Sequence, residues 1–386
     1  MKQIAIRWLL AALCLALLVP TAQGAMNYRA YLVQGKFAES PGQSGIQDLP
    51  VFLDDENMVG ISKEDWRENG ERYLCWWTNR KLVHFLLREP GDGQHQFIPR
   101  WDGSCGVLAQ VNDPEAEKVK GPLQLSTLTL YDWAGEDLEN PRLIDKGYLD
   151  ILPTRGGFAV VRKDHLEEDA TLCLYDGQGN SEGRFPLPKD YNTIVRARRN
   201  ADGLWAVTVD ITSQRYVYLP MLIRNGEILW QKKPGMDIFE VTPDNSGGFF
   251  HYKYTGRDSE TYKPLEITRY DGNAQPLWKK TLKGNKVLLE AIIWENPENG
   301  KLLLYGKATA ASRGVFRVFR LELDGQGNTL SLDVRECNYY NSYMYSVYVS
   351  PTTGQAQVYL RNGDDQPALV PFDALPKAEN PGLSFR

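Results

Sequence analysis

The chain has 386 residues, with 44 Lys and Arg against 49 Asp and Glu and a formal net charge of −5. An acidic chain without a basic tract is poorly suited to nucleic acid, where phosphate contacts supply most of the affinity. It offers anionic lipid no polybasic patch either.

In chain order, the first element is a leader. MKQIAIRWLLAALCLALLVPTAQGA carries Lys2 and Arg7, an apolar run from Trp8 to Val19, Pro20, and the small residues Ala22 and Gly24 before Ala25. That is the pattern of a cleaved secretory signal peptide, and its apolar run is shorter than the about 20 residues of a membrane span. The expectation is therefore a signal peptide over 1–24 and one mature domain over 25–386, secreted or extracytoplasmic, with a retained anchor as the alternative. Cleavage removes Lys2 and Arg7 and no acid, taking the formal charge to −7. No second apolar run is long enough to span a bilayer, so no membrane insertion is expected after cleavage.

The mature chain opens on YRAYLVQGKF (28–37), a spare strand followed by repeating units. Each unit has an apolar strand closed by proline, a glycine a few residues on, and a second apolar strand. The prolines are Pro99, Pro153, Pro243, Pro297 and Pro351, separated by 54, 90, 54 and 54 residues. The gap of 90 divides into two of 45 if Arg198 in VRARRNADGLWAVTV takes the proline slot, and Pro50 begins one more unit upstream, which makes seven. Each unit also offers a second turn: Asp132–Gly135, Asp176–Gly179, Asn225–Gly226, Asp271–Gly272, Asp324–Gly327 and, more weakly, Thr78–Arg80. Asp-Gly and Asn-Gly between apolar strands predict tight hairpins with positive φ at both turn positions.

Four short antiparallel strands at a period of 45–54 residues are the blade of a β-propeller. A β-solenoid usually repeats at shorter periods, and a unit this short cannot bury a sandwich core of its own. The expected architecture is all-β, a single propeller of seven four-stranded blades, with six or eight as the neighbouring counts. The last unit, after Pro351, lacks a fourth strand and ends in loop-like KAENPGLSFR. The spare strand 28–37 is expected to complete it and so close the ring, removing an open edge.

The hairpins at Pro243, Pro297 and Pro351 resemble the turns of WD40-like and TolB-like propellers. RNGEILWQKK and YDGNAQPLWKK, with Trp230 and Trp278, resemble the repeat of quinoprotein-like propellers, in which a turn is followed by a tryptophan that docks one blade on the next. The resemblance implies blade architecture. It implies no particular activity, because this fold carries enzymes, scaffolds and sensors.

A search for chemistry finds no sialidase box, no nucleophile elbow, no phosphate loop and no His-x-x-x-His pair. The four histidines His84, His95, His165 and His251 are scattered, and DGQGN at 176–180 and 324–328 reads as a hairpin turn, not a calcium loop. No cofactor or metal is expected. Four cysteines follow the leader, Cys75, Cys105, Cys173 and Cys337; they permit two disulfides in three connectivities, or buried thiols. Aromatic richness stands out in CNYYNSYMYSVYV, where Tyr343 and Tyr345 share one side of a strand, and Trp294 sits in another inner strand. Arg196 and Arg198 share one side of a further inner strand, where they suit a carboxylate or sulfate. Tyr343, Tyr345, Trp294, Arg196 and Arg198 are thus the candidate ligand-binding residues, against a background reading of packing and solvated channel lining. The expected function is a secreted, non-catalytic module binding an extracellular glycan or protein; the alternative is a polysaccharide hydrolase or lyase.

Overall fold

The computed structural model describes residues 45–46, 51–54, 57–63, 72–78, 81–87, 94–113, 123–133, 138–166, 168–188, 193–211, 217–235, 238–244, 246–254, 265–284, 292–296, 298–309, 316–337, 345–350, 353–361, 367–378 and 383–385. The leader, the spare strand 28–37, Pro50, Pro297, Pro351 and Tyr343 lie outside them. The described residues are all β apart from one 3₁₀ turn, Phe372–Ala374.

The strands form six antiparallel sheets. Sheet A contains β1 (Gly45–Ile46), β2 (Val51–Phe52), β3 (Asn57–Lys63), β4 (Arg72–Thr78) and β5 (Lys81–Leu87), with β1 and β2 both pairing β3. Sheet B runs in sequence order through β6 (Gln94–Pro99), β7 (Cys105–Asn112), β8 (Gln124–Trp133), β9 (Leu138–Thr154), β10 (Gly157–Lys163), β11 (Thr171–Asp176) and β12 (Ser181–Pro186). Sheet C is β13 (Thr193–Arg199), β14 (Trp205–Asp210), β15 (Tyr218–Arg224) and β16 (Glu227–Gln231). Sheet D holds β17 (Ile238–Pro243), β18 (Phe249–Tyr254), β19 (Leu265–Tyr270) and β20 (Pro276–Gly284); sheet E holds β21 (Ile292–Glu295), β22 (Leu302–Thr309), β23 (Phe316–Leu323) and β24 (Thr329–Cys337). Sheet F has β25 (Tyr345–Val349), β26 (Ala356–Arg361) and β27 (Pro367–Pro371). A last strand, β28 (Leu383–Phe385), returns to pair with β20 of sheet D.

Sheet B is long because β9 serves twice. Its first part pairs with β8 as far as Leu149, and from Tyr148 onward it pairs with β10. Gly147 sits at this handover with φ 149°, where a Cβ would meet the Lys163 carbonyl oxygen at 2.9 Å. Only glycine fits so close a backbone approach.

Burial explains why the middle strands read as unbroken apolar runs. β14, WAVTVD, is buried at every position, and so are the first five residues of β10, GFAVV. Each such sheet is covered on both faces by its neighbours, so alternation disappears. The outer strand β16 is exposed at four of its five positions. The core is accordingly a series of clusters between sheets. The largest spans the second half of sheet B and sheet C, with Leu172, Leu174, Trp205, Val207, Met221 and Ile223 among its members. Another joins Phe250, Tyr252 and Ile267 of sheet D to Leu304, Phe319 and Leu321 of sheet E. This stacking of successive sheets makes the fold propeller-like.

The turns correct one expectation. The turns expected at Thr78–Arg80 and Asp132–Gly135 fall largely outside the described residues. Among the described ones only Asn225–Gly226 is a two-residue hairpin with positive φ at both positions, 51° and 77°. At Asp176, Asp271 and Asp324 the loop is longer, and the positive φ falls later, on Gly179, Ala274 and Gly327. In each, the aspartate carboxylate accepts the backbone N–H groups two and four residues on, at 2.7–3.0 Å. A bulge follows in the outer strand, as in hairpins built on a type I turn. The side chain of aspartate, more than the flexibility of the adjacent glycine, makes the turn.

The chain end also differs from the loop expected. After the 3₁₀ turn, Glu336 N–H bonds the Pro376 carbonyl and Ala378 N–H bonds the Val334 carbonyl, so the tail runs along the outer strand of sheet E before β28 joins sheet D. Cys105 and Cys173 are free, buried thiols in different core clusters, so neither belongs to a disulfide framework. The side chains of Cys75 and Cys337 lie outside the description.

Candidate binding face

The turns joining the first and second strands, and the third and fourth strands, carry the contacts that knit each sheet to the next. Arg100 Nε donates to the Gly177 carbonyl at 3.0 Å, while its Nη2 meets Asp132 at 2.6 Å. Arg199 forks onto Glu182 at 2.8 and 2.6 Å, joining sheets C and B. Arg269 bridges Asp244 and Glu295, at 3.3 and 2.8 Å, and also donates to the Gly325 carbonyl of sheet E. Tyr305 of sheet E donates to the Gly354 carbonyl beside sheet F at 2.7 Å. Asn200 Nδ2 donates to the Asp244 carbonyl, tying sheet C to sheet D. Bidentate, desolvated contacts of this kind position backbone rigidly.

Against this scaffold one aromatic residue stands out. Trp101, in the turn after β6, is 43% exposed and is the single aromatic among the exposed large apolar residues described. Its indole lies across Gly156 of the turn between β9 and β10, where φ is +74° and no Cβ fits. The Arg155 guanidinium sits 4.9 Å from the ring centroid and donates onward to the Leu53 carbonyl of sheet A at 2.9 Å. The β6–β7 turn that carries Trp101, the β9–β10 turn with Arg155 and Gly156, and the Leu53 carbonyl beside sheet A therefore meet around one tryptophan. Beside it, the Ser104 hydroxyl and N–H both donate to Asp102, at 2.6 and 2.9 Å, and hold its carboxyl below the ordinary range. The face thus offers a flat apolar ring backed by a cation, with an ionised carboxylate next to it.

The sequence candidates fall elsewhere. Arg196 is exposed on β13, opposite Thr208 and just after a bulge; Arg198 is half-buried opposite Ala206 on the same strand. Trp294 is half-buried on β21 and packs over Gly354, leaving no space for a Cβ there. Tyr345 begins β25, opposite Leu360. Trp294 therefore lies at a sheet junction two sheets beyond the arginines. Two further tryptophans pack at junctions between sheets. Trp278 Nε1 donates to the Gly325 carbonyl at 3.2 Å, and its ring covers Gly327. Trp230 likewise packs on Phe249 and Tyr270 of sheet D, with ring centroids 5.2 and 6.3 Å away.

Sequence reasoning missed Trp101, which stands two residues after Pro99 in PRWDGSCG, because that segment is read for its proline and glycine alone. The available signal was an aromatic at a turn position, where core packing does not demand one. Among the described residues no cluster of His, Cys, Asp and Glu could hold a metal ion. The strongly shifted groups lie in the interior: burial pushes Tyr175 up to about 12 and raises the Cys105 thiol.

No protein-family model matches the chain, and no curated protein matches it. Solved structures do. The β-propeller domain of the Trilobed protease from Pyrococcus furiosus, which has an open velcro topology, aligns with a TM-score of 0.51 at 12% identity, over 87% of this chain and 95% of that one. Oligopeptidase B from Trypanosoma brucei aligns with a TM-score of 0.49 at 9% identity; 87% of this chain matches about half of that one, 49%. At such identity the likeness speaks to the fold alone. The chain has a β-propeller-like fold, similar to that of the Pyrococcus furiosus domain.

Proposed function

We propose that this is a secreted, non-catalytic propeller module that binds an extracellular glycan or protein on the turn face around Trp101. The observation that carries the reading is the exposed indole itself, locked by Gly156 below and Arg155 beside it. Tryptophan and arginine held rigid at a surface are the residue types that dominate binding energies, and a ring face with an adjacent carboxylate suits a sugar or a cationic side chain. The Pyrococcus furiosus propeller is one domain of a protease, which supports a modular role.

The same reading extends to the ring. Divided at β9, sheet B makes two blades, and with the other five sheets the count is seven. Sheet F has three strands among the described residues, and residues 28–37 supply its fourth. Export by the 1–24 leader completes the proposal.

The test is a thermal-shift screen of residues 25–386 against glycans and peptides, repeated with Trp101→Ala. Ligand at a hundred times its dissociation constant stabilises by roughly 2.7 kcal/mol. A shift lost in Trp101→Ala, with the unliganded melting temperature kept, is the expected result. A shift of equal size in the variant would move the site elsewhere, and turnover of a bound glycan would replace the binder with the hydrolase or lyase reading.

A further inference from the structure

The exposed leucines of sheets C, D and E have one structural cause. In β16, Ile228 stands opposite Ile223 and Trp230 opposite Leu222, so Leu229 has no partner on β15. It is 46% exposed, beside Ile228 at 43%. The same bulge leaves Leu277 of β20 and Leu330 of β24 unpaired and exposed.

What differs between these sheets is the fate of the outer edge. β28 pairs with β20 at Leu282–Gly284, and the tail bonds Val334 and Glu336 along β24. β12, at the end of sheet B, carries Glu182 and Arg184 and finishes on Pro186; charges and a missing donor both blunt an edge. β16 has none of these devices within its apolar stretch. Among the described residues no strand pairs with its outer side, and EILWQKK at 227–233 contains no proline. An open edge with exposed apolar side chains recruits another strand.

The sequence of this edge specifies which strand. Glu227 opens it and Lys233 follows its end, both exposed, with Ile228 and Leu229 between them. Antiparallel pairing with an identical strand about a two-fold axis sets the acidic end of each copy against the lysine end of the other. It also gathers the apolar residues of both copies at the centre. Parallel pairing would set glutamate against glutamate, and like charges across a strand pair oppose it. A pattern complementary to its own reversal is what an isologous contact requires. The local balance is favourable too. The chain as a whole carries a net charge of −5, which keeps copies apart, whereas 227–233 has two lysines and one acid.

We propose that the outer edge of β16 is a contact between two copies of this chain, paired antiparallel through residues 227–233 about a two-fold axis. One short strand per copy makes a smaller contact than the about 1,200 Å² of a stable complex, so the association is reversible and grows with concentration. The edge is separate from the Trp101 face, so either proposal survives the failure of the other.

The experiment is sedimentation velocity on the mature chain, 25–386, over about 1 to 300 μM. A monomer–dimer equilibrium is expected. Leu229→Lys sets a charge at the centre of the edge and should leave only monomer, with the melting temperature of the dilute protein kept. Glu227→Lys and Lys233→Glu should each weaken self-association by about tenfold, because two like-charge pairs replace two opposite ones. Mixing these two variants should restore it, since each end of the mixed dimer then joins lysine to glutamate. A monomer at every concentration overturns the proposal. So does a dimer that Leu229→Lys leaves intact, or a mixture that associates no better than its components. Should Leu229→Lys fail to fold, the mixing experiment decides alone, since both of its substitutions are at exposed positions.

Discussion

The docking of Trp278 on Gly327 can be tested by a double-mutant cycle. Gly327 has φ +80°, and a Cβ there would lie 2.7 Å from Trp278 Cδ2 and 2.9 Å from Cε2. Gly327→Ala therefore carries two separate costs: about 1–2 kcal/mol for a left-handed alanine, and about 1–3 kcal/mol for pushing the indole off the turn. The first is independent of the tryptophan. Sheet D shows that it is tolerable, since Ala274 holds the corresponding turn position at φ 59°. Trp278→Ala alone forfeits the bond to the Gly325 carbonyl, about 1 kcal/mol, and the packing of a half-buried ring. In the Trp278→Ala background, Gly327→Ala should cost only the backbone term. Urea titrations followed by far-UV circular dichroism on the four proteins should thus show an interaction energy of about 1–3 kcal/mol. If Gly327→Ala costs the same in both backgrounds, the indole does not join the two sheets through this turn.

Arg269→Met should destabilise by about 3–5 kcal/mol, because it strands Asp244 and Glu295, whose side chains are 1% and 10% exposed; a urea-measured loss below about 1 kcal/mol would refute that accounting. Burial opposes ionisation of Asp132, but its hydrogen bonds from Arg100 and Asn140 and the charges of Arg100 and Arg142 hold its carboxyl below the ordinary range. Its contribution is therefore present above the unfolded value near 4 and lost as pH falls through the depressed folded value. Asp132→Asn should flatten the decline in urea midpoint below about pH 4, and an unchanged acid limb would count against the clasp. Iodoacetamide mapping without reductant should modify Cys105 and Cys173 only after denaturation, and finding either in a disulfide would contradict their free, buried state. Deleting 25–37 should abolish soluble folding if that segment completes sheet F; a deletion product that folds with the parental melting temperature would refute the closure.

The architecture was legible because blade sequences carry two periods at once. Within a unit, turn residues bracket short apolar strands; between units, the same punctuation returns. Pro99, Pro153 and Pro243 each close or nearly close the first strand of a unit, and the slot assigned to Arg198 falls at the end of β13. The Asp and Asn turns at 176, 225, 271 and 324 close or follow third strands. These features are local, since a turn depends on residues within about four positions, and local features survive translation from sequence. The exchange of roles within β9 did not show, because nothing in LENPRLIDKGYLDILPT breaks the strand at Gly147. The path of the tail did not show either: KAENPGLSFR looks like a loop, and β28 exists only because β20 presents an open edge to it.

The binding face was harder for a related reason. A propeller places at one end the turns of units that are far apart in sequence, so residues 53, 101 and 155 meet with no pattern linking them. Aromatic density pointed instead to strands, and strands are where aromatics are consumed by packing. Trp294 illustrates it: an inner-strand tryptophan spends its surface on Gly354 of the next sheet, just as Trp278 does on Gly327. Trp101 escapes this because Gly156 lets its edge settle while Arg155 occupies the space near its face, leaving 43% of the residue in solvent. The informative contrast in such a chain is therefore between aromatics opposite a glycine within the sheet stack and an aromatic opposite a glycine at its rim. The first kind fastens blades; the second is free to meet something else.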